Sequence, residues 1–182
     1  LLLNELDKLC ALAGEGEITR EIALPLYAAV ATDTGCFVYG NTTPHTHRVA
    51  AALMEQDIPY QALNKRHFRT KSLRRMKLES LILQNMKLYQ EGTVAVAPLS
   101  LAMMAQANAT DDDAEDIAAF LGQIEGVLHS ATIRELRPGE CKIPLRTNPT
   151  YLNATATCAR LGGGGHVAAS GCTVRGTVDE AE

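Results

Sequence analysis

Residues 159–171 read ARLGGGGHVAASG, and the four consecutive glycines, Gly162 to Gly165, restrict what the chain can build there. Each glycine loses more backbone freedom on folding than any other residue and packs no side chain, so the run needs a use for bare backbone. It follows YLNATATCARL, which reads as a helix, so it is not a strand-to-helix phosphate loop. It also matches neither G-x-x-x-x-G-K-[ST] nor G-x-G-x-x-G. The remaining physical use is a loop whose amide N–H groups face outward as a nest, with His166 as an added side-chain donor. A phosphate or the edge of a base suits such a concavity.

The segments around this run predict an α/β chain. Residues 2–12 and 19–30 carry apolar residues at helical spacing, and LYAAVAT, ending at Asp33-Thr34-Gly35, reads as a buried strand with an acid at its C-terminal end. Thr43 and Pro44 mark a helix start before Val49, Ala52, Leu53 and Met54. From Ser72 to Gln90 there is no Gly or Pro, and Leu78, Leu81, Ile82, Met86 and Tyr89 recur at three- and four-residue spacing, which predicts a long helix. Composition changes on either side of it. The chain therefore divides into residues 1–69, a connector helix over 70–91, and a second domain over 92–182. In that domain TVAVAPL reads as a strand, 99–108 as a helix and DDDAEDIAAFLGQI as an acid-capped helix. GVLHSATIREL and CKIPLR form a hairpin about Pro138-Gly139, and SGCTVRG is a closing strand, so the sheet is mixed.

Composition narrows the function classes. With 46% hydrophobic and 21% charged residues the chain reads as an ordinary globular protein, and no apolar run approaches the eighteen or so residues of a membrane span. The N-terminal stretch has no basic region or cleavage site of a signal peptide. Five scattered cysteines without a C-x-x-C pair argue against a disulfide framework or a zinc ribbon and for a reducing, cytoplasmic setting. The net charge of −4 predicts no general coating of nucleic acid, yet eight of the 17 basic residues fall between Lys65 and Lys87, against Glu79 alone. A positive stripe on an acidic body points to a focused anion site.

Several residues carry the chemistry that such a site needs. Arg134 and Arg146 fall on the two hairpin strands, and guanidinium forks match phosphate oxygens bidentately. Asp33 offers a carboxylate to a divalent cation, although a catalytic metal site needs several ligands. His45 and His47 are two apart on a helix and face different directions, so they read as exposed first-turn residues. DDDAED reads as a solvated helix start.

Together, VATDTGCFVYGNTTPHTHRVAAALM, IEGVLHSATIREL and CKIPLRTNPTYLNATATCARLGGGGHVAASGC resemble the C-terminal two-thirds of a DHH-superfamily phosphoesterase of the bacterial nano-RNase and pAp phosphatase type. The glycine-histidine stretch followed by A-S-G-C is the most specific element, and D-T-G-x-F with N-T-T-P is the second. The resemblance implies a two-domain cytoplasmic enzyme that uses two Mn²⁺ or Mg²⁺ ions to hydrolyse very short single-stranded RNA, or to remove the 3′-phosphate of pAp. It makes Asp33 the last metal ligand. Gly163, Gly164, Gly165, His166 and Arg146 become substrate-binding residues, while Arg134 and Asn153 occupy family-like positions. A homo-oligomer is compatible with it. The fold class implied is the C-terminal remnant of a parallel-sheet DHH domain, a connector helix, and a smaller mixed-sheet α/β substrate-binding domain.

Departures from the family pattern set the expectation for this chain. It has no D-x-D before Asp33 and no D-H-H, and one Asp cannot hold two ions about 4 Å apart. The chain therefore reads as a fragment carrying the substrate-binding part and inactive alone. Thr147 stands where the family usually has Ser, and Val167-Ala168 follow the His. The alternatives are a catalytically inactive nucleotide or RNA-end binding module, a single-strand DNA exonuclease, or a cyclic dinucleotide phosphodiesterase.

Overall fold

The computed structural model describes residues 18–182; the helix read over 2–12, and Cys10 just before its end, lie outside them. The chain divides into two compact units, one ending at Thr70 and one running from Lys71 to Glu182.

In the first unit the described elements are α1 (Arg20–Asp33), α2 (Pro44–Met54) and α3 (Tyr60–Phe68). LYAAVAT, read above as a strand, is the second half of α1. Its alanines favour a helix, and the buried residues Ala23, Tyr27, Val30 and Ala31 recur at helical, not strand, spacing. They pack against Val49, Ala50 and Leu53 of α2. The start of α2 is as the sequence reads: the Thr43 hydroxyl accepts from the Thr46 amide, the Thr46 hydroxyl accepts from the Thr43 amide, and Pro44 follows the cap.

The second unit is a six-stranded mixed sheet with helices, as expected for the α/β class. Its strands are β1 (Lys87–Tyr89), β2 (Val94–Leu99), β3 (His129–Arg137), β4 (Glu140–Thr147), β5 (Gly164–His166) and β6 (Ala169–Arg175). They lie in the order β1-β2-β3-β4-β6-β5, with β2 and β3 parallel and the other pairs antiparallel. The helices are α4 (Leu73–Asn85), α5 (Leu101–Ala107), α6 (Ile117–Leu121), α7 (Ala154–Ala159) and α8 (Val178–Ala181). The hairpin forms where Pro138-Gly139 places it: proline presets its own φ and Gly139 takes a φ of 81°.

The apolar core of this unit lies between β2 and the helices α4, α5 and α6. Leu78 and Ile82 of α4 are buried there with Ala95, Ala97 and Leu99 of β2 and with Ile117 and Leu121 of α6. Each large side chain so buried contributes about 1.5–3 kcal/mol relative to exposure. The helix beginning at Leu73 ends at Asn85, earlier than its apolar spacing suggests, and Lys87–Tyr89 pair with β2 instead. DDDAED also departs from expectation: Asp112–Ala114 form a 3₁₀ turn, Asp116 takes a left-handed φ of 54°, and the α-helix starts only at Ile117.

Candidate phosphate-binding cavity

Strand alternation places Thr132 and Arg134 of β3 and Lys142, Pro144 and Arg146 of β4 toward one side of the sheet. The register pairs Arg134 with Lys142 and Ser130 with Arg146. These residues line a cavity of about 720 Å³ whose other walls include Gly162–Gly164, Gly171 and the Glu115–Ile117 segment. A volume of that size suits a nucleotide. Three cations converge on it, and guanidinium forks and an ammonium there can hold phosphate oxygens.

Sequence reasoning missed Lys142, although its signal is present: the alternation in CKIPLR puts Lys142, Pro144 and Arg146 on one face. It also missed the acids that meet the arginines. Arg134 Nη2 lies 2.5 Å from Asp111 Oδ1, and Arg146 Nη2 lies 2.7 Å from Asp116 Oδ1. Between them, Asp113 is 7% exposed, accepting from the Ser72 hydroxyl at 2.5 Å and from the Thr110 amide and hydroxyl, both at 3.0 Å. The Ser72 hydroxyl foremost, then the Thr110 amide, holds its carboxyl down at about 2. DDDAED is therefore not a solvated helix start but a segment tied to the rest of the unit. Lys142 has no ion pair among the described residues.

The glycine run is not an open nest. The Gly162 and Gly163 amides donate to Ala159 O at 3.1 Å and Cys158 O at 2.9 Å, closing the end of α7, and Gly162 has a φ of 73°. Gly164 to His166 form the edge strand β5 on β6. A Cβ on Gly163 would stand 2.2 Å from Gly171 O, and one on Gly165 would stand 2.7 Å from Ala169 O. At Gly162 and Gly164 a Cβ would meet nothing within 4 Å, and of the two only Gly162 has a left-handed φ. Bare backbone thus serves the helix end and the close approach of β5 to β6, and it brings Gly164 to the cavity wall.

The other sequence-derived candidates fall elsewhere. His166 is exposed at the end of β5 and, like Gly165, is not among the residues that line this cavity. Asn153 caps α7, its Oδ1 accepting from the Ala156 amide at 3.0 Å. Asp33, in the first unit, ends a helix and not a strand; Asn41 Nδ2 donates to its carbonyl at 3.0 Å and to Oδ2 at 3.3 Å. Thr34 organises the turn beyond it, fully buried, donating to Val30 O at 2.7 Å and accepting from the Phe37 amide at 3.1 Å.

Among the described residues no three His, Cys, Asp or Glu side chains form a metal-holding group. Asp33 by itself does not fit a two-ion centre, and no chemical step through a metal follows from these residues. Cys141, Cys158 and Cys172 are buried free thiols, and burial pushes Cys141 and Cys172 up, away from thiolate chemistry. The basic stripe is partly neutralised within the second unit: Lys71 and Arg75 share Glu79 at 2.9 and 2.7 Å, Arg74 reaches Asp113 at 3.0 Å, and Lys87 reaches Glu182 at 2.7 Å.

No family model matches the chain. By sequence it is similar to the bifunctional oligoribonuclease and PAP phosphatase NrnA of Thermus thermophilus, with 32% identity over 161 residues, 88% of this chain and 47% of that protein. The protein of the same name from Bacillus subtilis is 28% identical over 158 residues, 87% of this chain and 49% of that one. The chain thus spans about half the length of these relatives. A crystal structure of an exopolyphosphatase-related protein from Bacteroides fragilis superposes on 98% of this chain and 53% of its own, with a TM-score of 0.86 and 25% identity. Sequence and fold together relate the chain to the DHH-superfamily phosphoesterases of the oligoribonuclease and PAP phosphatase type.

Proposed function

We propose that this chain serves in a phosphoesterase that hydrolyses short single-stranded RNA, or the 3′-phosphate of pAp, and that it contributes the substrate-binding part. The observation that carries the reading is the cavity where Arg134, Lys142 and Arg146 meet the bare backbone of Gly162–Gly164. In it the two guanidinium groups grip phosphate oxygens, Lys142 adds a point charge, and Pro144 between them offers an apolar surface to a sugar or base. At Gly164 the missing side chain lets a nucleotide come close to the main chain.

His166 and Gly165 would act on substrate reaching beyond the cavity wall, and Asn153 indirectly, by holding α7 in front of them. Hydrolysis is proposed to use divalent ions, Mn²⁺ or Mg²⁺, with Asp33 as one ligand among others. Residues 92–182 are proposed as the substrate-binding domain and residues up to 69 as part of the metal-bearing one. Among the described residues no helix is long and apolar enough to cross a membrane, and a cytoplasmic setting is proposed from the cysteine usage.

The test is a fluorescence-anisotropy titration of a 5′-phosphorylated, 3′-labelled RNA trinucleotide against the chain and its Arg146→Ala variant. Loss of one charge-assisted phosphate contact should weaken binding by about tenfold or more. Equal affinity of the two proteins overturns the assignment.

A further inference from the structure

The cavity that the proposed function fills with phosphate already holds carboxylates. Asp116, on Arg146, and Glu115 line its wall, while Asp111, just outside the lining, lies on Arg134. Three cations therefore stand against two acids on the wall and a third, Asp111, that holds Arg134 from beside it, and their charge is largely offset. An anion entering it gains little from the field unless some of the acids leave.

The 111–116 segment is built so that two of them can leave without unfolding. Its middle is fixed, with Asp113 held by Ser72, Thr110 and Arg74, and with Arg75 Nη1 donating to the carbonyls of Asp113, at 2.9 Å, and Glu115. Its ends are not. The Asp111 side chain is 90% exposed and that of Asp116 57% exposed, so a χ rotation carries either carboxylate into water. Asp116 stands immediately before α6, yet its carboxylate makes no cap hydrogen bond to that helix and reaches across to Arg146 instead. Asp112, in the same segment and exposed, has no arginine partner.

Resting on the reading of the cavity given above, we infer that Asp111 and Asp116 are built-in competitors of the substrate: they occupy Arg134 and Arg146 in the free protein and give them up to phosphate. Each arginine exchanges a carboxylate for a phosphate oxygen pair, which matches the guanidinium fork as well and brings more charge when the phosphate is a terminal monoester. The arginines are offset by four residues along neighbouring strands, about 13 Å of strand rise. A ligand that displaces both aspartates therefore carries two phosphate groups, as a 5′-phosphorylated dinucleotide or a nucleoside bisphosphate does. The acids make the resting cavity poor at holding stray monovalent anions and set the charge that a ligand must bring.

The experiment titrates a 5′-phosphorylated RNA dinucleotide against the wild-type chain, Asp116→Asn, Asp111→Asn/Asp116→Asn, Asp112→Asn and Arg146→Ala, at two salt concentrations. Asparagine tolerates the left-handed φ of residue 116, so folding is preserved. Exposed ion pairs of this kind are weak, so affinity should rise about two- to fivefold for each paired aspartate removed, while Asp112→Asn stays near wild type. An equal gain from Asp112→Asn overturns the inference, because charge alone would then explain the effect. So does unchanged or lower affinity in Asp116→Asn while Arg146→Ala loses binding, an outcome that leaves the cavity reading intact. If Arg146→Ala binds as wild type does, the cavity reading fails, and the inference with it.

Discussion

Replacing Gly163 by alanine separates a structural use of the glycine run from a use in binding. The added Cβ would stand 2.2 Å from Gly171 O and 2.6 and 2.7 Å from Cβ and Cα of Cys172. Ordinary contacts of this type lie near 3.5 Å, so β5 must move off β6 by roughly 1 Å, and it is main chain that has to yield. Overpacking costs about 1–3 kcal/mol, and the upper end applies where no flexible side chain can turn away. For a unit of this size, about 3 kcal/mol lowers the melting temperature by roughly 10–15 °C. Gly164→Ala is the control: its Cβ meets nothing within 4 Å, so stability should change by less than about 0.5 kcal/mol. Thermal and urea unfolding followed by circular dichroism read both. If the two variants melt together, the close approach of β5 to β6 is not what requires glycine, and the argument for that part of the fold is wrong.

Two further outcomes follow from buried polar groups. Asp113 is held at about 2 against an ordinary 3.8, so its folded carboxyl is depressed; the stability it contributes is present above pH 4 and is lost as pH falls toward 2. Melting temperatures measured from pH 6 to pH 2 should therefore fall more steeply for the wild type than for Asp113→Asn, and parallel curves would remove Asp113 from the account. Thr34→Ala removes a fully buried hydroxyl and leaves the partly buried Phe37 amide without its acceptor, which should cost about 1–3 kcal/mol in urea unfolding. A loss below about 0.5 kcal/mol would mean that the turn after Asp33 does not depend on that hydroxyl.

Local spacing carried much of the fold. The alternation in TVAVAPL and CKIPLR, the cap at Thr43 and the Pro138-Gly139 turn each act over a few residues, and each forms where it is written. LYAAVAT is misread as a strand, because an unbroken apolar run looks the same in a buried strand and in a buried helix; its burial at helical spacing emerges only once it packs against α2. The resemblance to the DHH phosphoesterases also lay in the sequence itself, in short runs of residues that need no folding to be compared.

What tertiary structure alone decided is which groups meet. Asp111 and Arg134 are 23 residues apart and Asp116 and Arg146 are 30 apart; strand register and the path of the 111–116 segment bring them together, and no local pattern encodes either. The need for glycine at 163 and 165 likewise depends on how closely another strand's backbone approaches, a distance that exists only once β5 has paired with β6. Secondary structure is fixed by interactions a turn or a pleat apart, whereas charge pairing and steric exclusion are set by neighbours that the chain acquires only on folding.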